Sequence, residues 1–65
     1  MERFLLTVFQ GSKIIYYEES RSITSTAKCI NRFQDHKKNG FEFDIYDSFK
    51  GRTIDVEELM KVWNS

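Results

Sequence analysis

The sequence predicts an α+β fold: a three-stranded, mostly antiparallel sheet with room for a short fourth strand, element order β-β-α-β-α, and both helices packed on one face. Three observations carry this expectation. Two β-rich runs, 3–10 and 13–19, flank the dipeptide Gly11-Ser12. Ile23, Ala27, Ile30 and Phe33 recur at helical spacing. The run Phe41-Glu42-Phe43-Asp44-Ile45-Tyr46-Asp47 alternates apolar and polar side chains strictly.

Phe4-Leu5-Leu6-Thr7-Val8-Phe9 is the most apolar stretch, and it is apolar at both odd and even positions. A strand buried on one face alternates, so this one reads as the central strand. A two-residue loop that opens with glycine suits a type II′ hairpin turn, because glycine takes the required positive φ without a Cβ clash. That turn sets an expected register: Phe9 opposite Ile14, Val8 opposite Ile15, Thr7 opposite Tyr16 and Leu6 opposite Tyr17. One face then holds Phe4, Leu6, Val8, Ile15 and Tyr17. The other holds Leu5, Thr7, Phe9, Ile14, Tyr16 and Glu18.

A helix follows over about Ser22 to Lys38, with Ser22 as N-cap. His36, Lys37 and Lys38 fall in its last turn, where positive charge offsets the helix dipole. Asn39-Gly40 ends it. In the third strand Phe41, Phe43 and Ile45 face inward. Arg52-Thr53-Ile54 offers a short edge strand. The last helix runs from about Val56 to Trp63, with Asp55 as N-cap, Glu58 completing a capping box, and Ile54 and Leu59 forming a hydrophobic staple. Connection rules set the third strand beside the first and antiparallel to it, giving the order 2-1-3.

Sixty-five residues make one domain, 1–65. Cys29 is the only cysteine, so no intrachain disulfide staples this small core. A lone cysteine fits a reducing compartment, and no run is long enough to span a membrane. The opening residues lack the basic start and long apolar run of a signal peptide. These features point to a cytoplasmic protein.

Lysine plus arginine number 10 and aspartate plus glutamate 10, so the formal net charge is zero. Overall charge therefore gives no reason to expect a general polyanion binder, but its distribution is uneven. Residues 21–40 carry Arg21, Lys28, Arg32, Lys37 and Lys38 against Asp35 alone. Residues 41–65 carry six acidic side chains against three basic ones. As ordinary surface charge, such segments would attract one another within the fold.

Three functional readings follow. The sheet face away from the helices gathers Leu5, Phe9, Ile14, Tyr16 and Tyr46, with Glu18, Glu42 and Asp44 around them, and no element remains to cover it. Apolar and aromatic residues ringed by charge describe a protein-binding patch, for a second copy in a homodimer or for a different protein. Isolated apolar residues on an open sheet are the ordinary alternative. The acidic groups also suit a modulator or inhibitor that occupies a basic groove on a larger protein, as small accessory proteins of phages and mobile elements do. This comparison rests on size and charge. The alternative reading is a nucleic-acid binder using Arg21, Lys28, Arg32, Lys37 and Lys38 along the long helix.

Catalysis finds no support. Cys29 and His36 lie two helical turns, about 10 Å, apart, too far for a nucleophile and its base. One cysteine and one histidine make no structural zinc site. Glu42 and Asp44 share a strand face, but nothing nearby supplies the other oxygens a calcium site needs. Gly11, Gly40 and Gly51 are scattered and build no phosphate loop. No catalytic residue, metal or cofactor is expected.

Overall fold

The structure, a computed structural model, describes residues 2–34 and 40–65. Its elements are β1 (Phe4–Gln10), β2 (Lys13–Ser20), α1 (Ile23–Gln34), β3 (Phe41–Asp47), β4 (Arg52–Ile54) and α2 (Val56–Trp63). The strands form one antiparallel sheet in the order β2-β1-β3-β4. The expected α+β architecture holds, and the short fourth strand is present. His36, Lys37, Lys38 and Asn39, expected at the end of the long helix, lie outside the described residues.

Both helices cover the same face. Phe4, Leu6 and Val8 on β1, Ile45 on β3, Ala27, Cys29 and Ile30 on α1, and Leu59 on α2 form the core, each at most 1% exposed. Ile23, Phe33, Phe41, Phe43, Ile54, Val56, Met60 and Trp63 pack around it. β1 is an inner strand, paired with β2 on one edge and β3 on the other, and the helices bury its even-numbered side chains Phe4, Leu6 and Val8. Phe33 anchors the outer turn of α1. Its ring centroid lies 5.4 Å from Phe41 and 6.3 Å from Phe43, both edge-on.

Local chemistry sets the element ends. Gly11 takes φ 64° in the loop between Gln10 and Lys13, so the two-residue hairpin loop is as expected. Ser22 caps α1 by accepting from the Ser25 N–H at 3.3 Å. Asp55 caps α2 by accepting from the Glu58 N–H at 2.8 Å. The Glu58 carboxylate takes Arg52 at 2.6 Å and Lys50 at 3.8 Å, so it ties the β3–β4 turn to α2. Arg52 holds its carboxyl below the usual range.

The register of β2 differs from expectation. Phe9 does oppose Ile14, but Val8 opposes Tyr16, Thr7 opposes Tyr17, Leu6 opposes Glu18 and Leu5 opposes Glu19. A β-bulge between Val8 and Phe9 leaves Ile15 as the extra residue. Because side chains alternate faces, a one-residue slip exchanges the two sides of the strand beyond it. Tyr16 and Glu18 therefore lie on the helix side, and Tyr17 and Glu19 on the open side. The Tyr16 ring confirms this, stacking obliquely 5.5 Å from Phe33.

Candidate protein-binding face

The strand registers lay out the open face as a grid. Glu19, Leu5, Tyr46 and Thr53 form one row across β2, β1, β3 and β4. Tyr17, Thr7 and Asp44 form the next, and Ile14, Phe9 and Glu42 the third. Side chains in a row sit about 5 Å apart, close enough to make one continuous surface. Leu5, Thr7 and Phe9 are half-buried by their neighbours, while Ile14 is 59% exposed and Tyr17 50% exposed. The apolar stripe thus follows β1 and β2, and acids line it on β3 and at the Glu19 corner.

Six of the eight residues expected on this face are there: Leu5, Phe9, Ile14, Glu42, Asp44 and Tyr46. Tyr16 and Glu18 are not, because the bulge turns them to the helices. Tyr17 and Glu19 take their place, with the Tyr17 hydroxyl donating to Glu19 Oε2 at 3.1 Å. Partial burial and this bond raise the Tyr17 pKa. The sequence held only a weak signal for the exchange. With either register one of the adjacent glutamates, Glu18 or Glu19, must fall on the helix side, so polarity cannot choose between them.

Every acid–base group the register assigns to this face, tyrosines aside, is acidic: Glu19, Glu42 and Asp44. None is in an ion pair among the described residues. The described acids that do pair with cations lie elsewhere: Glu2 with Arg21, Asp47 with Arg3, and Glu58 with Arg52 and Lys50. No described ion pair joins a basic residue of 21–40 to an acid of 41–65. The uneven charge of the sequence is thus not neutralised within the described fold.

On the helix side, Tyr16, Glu18, Cys29 and Arg32 gather beside β2. The Tyr16 hydroxyl donates to Glu18 Oε1 at 3.0 Å, and that bond raises the Tyr16 pKa. Glu18 Oε2 is buried without a hydrogen-bond partner. Burial raises the Cys29 pKa, the Glu18 charge adds to this, and Arg32 and Tyr16 oppose it. A buried thiol held protonated is a poor nucleophile. The described residues bring together no group of three or more His, Cys, Asp or Glu side chains suited to a metal ion.

Asp47 is a buried carboxylate whose importance the strand pattern did not reveal. It is 1% exposed. Arg3 Nε and Nη2 each donate to it at 3.2 Å, and the N–H groups of Phe49 and Lys50 donate at 3.0 and 3.3 Å. Burial pushes its pKa up, but these donors outweigh burial and leave it lowered. The Arg3 guanidinium lies 4.7 Å from the Phe4 ring centre and 5.2 Å from that of Phe49. The site is structural, locking the N-terminus to the β3–β4 turn. A cleft beside it, lined by Arg3, Asp47, Ile54, Glu58 and Leu59, holds about 20 Å³, room for a single water.

Of the basic residues along the helix, Lys28 and Arg32 are exposed, Arg21 bonds Glu2 at 3.0 Å, and Lys37 and Lys38 lie outside the described residues. Among the described residues no helix is long and apolar enough to cross a membrane. Compared with known protein families, curated proteins and solved structures, the chain matches none of them.

Proposed function

We propose that this domain is a non-catalytic, cytoplasmic protein-interaction module that docks on a larger protein through the open sheet face and acts as its inhibitor or modulator. The observation that carries the reading is the continuous surface of Leu5, Phe9, Ile14, Tyr17 and Tyr46, opposite both helices and edged by Glu19, Glu42 and Asp44. Large exposed apolar groups grouped within a polar rim mark interaction sites more often than single exposed residues do. The aromatic groups supply contact area, and the carboxylates set orientation and select a basic surface. Unpaired acids on the face would repel a second copy docked face to face, which favours a different protein as partner over a homodimer of this kind.

The test is affinity capture with tagged protein, with and without nuclease, in the wild type and in Phe9→Glu and Tyr17→Lys. A defined protein that survives nuclease and is lost in both variants, with their circular dichroism unchanged, is the expected result. A partner that both variants retain refutes the open face. Recovery that depends on nucleic acid and falls in Lys28→Glu/Arg32→Glu would transfer the function to the exposed side of α1.

A further inference from the structure

We infer that the outer edge of β2 accepts an extended, cationic segment of a partner protein, which adds a fifth strand to the sheet. β2 is an outer strand of eight residues, whereas the opposite outer strand, β4, has three. An outer strand presents a row of N–H and C=O groups with no neighbouring strand, and proteins usually blunt such a row with proline, lysine, a bulge or an inward-pointing charge; Glu18 is such a charge, and it guards this edge against apolar strands while leaving it open to a cationic one. β2 has no proline, and its one lysine, Lys13, is its first residue. The bulge sits at the hairpin end, so Tyr16 to Ser20 continue in regular register with β1.

The chemistry along this edge is polarised. Ile14, Ile15, Tyr16 and Tyr17 come first along it, and Glu18 and Glu19 follow, one glutamate on each side of the sheet. Neither glutamate has an ion-pair partner among the described residues. Each accepts from the tyrosine two positions before it, and Glu18 Oε2, buried, still lacks a donor. The charged or titratable groups beside Glu18 on the helix side are Tyr16, Cys29 and Arg32, and the latter two interact with each other. An added strand sets side chains directly opposite Glu18 and Glu19, where arginine or lysine would make charge-assisted hydrogen bonds on both sides. Pairing of main chains gives such an interface its affinity, and the side chains give it selectivity.

A second copy of this chain fits poorly. Parallel β2–β2 pairing aligns the glutamates with each other. Antiparallel pairing sets them against the apolar half. Lys13 of a second copy could face Glu18, which shares its helix side, but Glu19, on the open side, would still lack a cation. The occupant is therefore an extended segment with apolar residues at one end and basic ones at the other. The edge requires the β2 backbone rather than Leu5, Phe9 or Tyr46, so it stands apart from the open-face reading although Ile14, Tyr17 and Glu19 border both.

The test uses the full chain, isotopically labelled, with three capped eight-residue peptides. The first has two arginines followed by alternating valine and threonine. The second is the same peptide N-methylated at alternate amides, which blocks strand pairing and keeps the charge. The third has glutamates in place of the arginines. The first should slow amide exchange along Tyr16–Ser20, and should bind about tenfold more weakly to Glu18→Gln/Glu19→Gln. The second and third should bind at least about tenfold worse than the first. No binding of the first peptide at about 1 mM, or equal binding of the N-methylated one, overturns the proposal. Peptide shifts confined to Leu5, Phe9 and Tyr46 overturn the edge and leave the open face standing. Stronger β2 protection on self-association of the wild type makes the occupant a second copy's strand, which refutes the cationic segment.

Discussion

The two adjacent tyrosines of β2 give the sharpest test, because the bulge assigns them opposite roles. Tyr16 contacts Phe33 at 5.5 Å and donates to Glu18, whereas Tyr17 is half-exposed on the open face. An aromatic pair contributes about 0.5–1.5 kcal/mol and an exposed hydrogen bond about 0.5 kcal/mol. Tyr16 is 36% exposed, so Tyr16→Lys should cost about 1–1.5 kcal/mol. For a domain of this size that lowers the melting temperature by roughly 4–12 °C. Tyr17→Lys removes no core contact and should shift it by less than about 3 °C. Thermal unfolding followed by circular dichroism reads the first effect, and partner binding well below the melting point reads the second. Only Tyr17→Lys should abolish binding. If Tyr17→Lys proves the more destabilising variant, or Tyr16→Lys alone abolishes binding while folded, the bulged register is wrong.

Other outcomes follow from the buried network and the turn. Arg3→Met leaves the Asp47 carboxylate buried without its cation. Because the Arg3 side chain is 33% exposed, the loss should be about 2–3 kcal/mol, below that of a fully buried pair, and denaturant unfolding measures it. Asp47 has a lower pKa folded than unfolded, so its stabilisation is full above the unfolded value, about 4, and fades as pH falls through the folded value. Wild type should therefore lose stability in that acidic window, and Asp47→Asn should show a shallower pH dependence there. Gly11→Ala forces a Cβ into φ 64° and should cost about 1 kcal/mol, visible as a lower urea midpoint with an unchanged slope. Glu18→Val removes the one acidic charge β2 turns toward the helices, and light scattering should show faster aggregation through the outer strand.

What the sequence by itself determined is the element order and the choice of core face. Alternation in Phe41–Ile45 and helical spacing in Ile23–Phe33 each admit one assignment, because each buried face repeats with the period of its own backbone, while Phe4–Phe9, apolar on both parities, marks the central strand. Gly11 and Asp55 fixed local geometry for equally local reasons. Six of the eight expected face residues follow from that patterning. The tertiary structure alone decided the rest. In Ile14-Ile15-Tyr16-Tyr17-Glu18-Glu19 each residue type comes in a pair, so a shift by one leaves the polarity pattern almost unchanged, and only contact with Phe33 selects Tyr16 for the helix side. Asp47 falls at the inward parity of Phe41, Phe43 and Ile45, a polar residue at a core position whose partners the strand pattern does not name. Its burial depends on Arg3, forty-four positions away in the chain, and on the turn N–H groups that together make a buried carboxylate stable. Such partners are set by packing between distant segments, and no local period in the sequence encodes them.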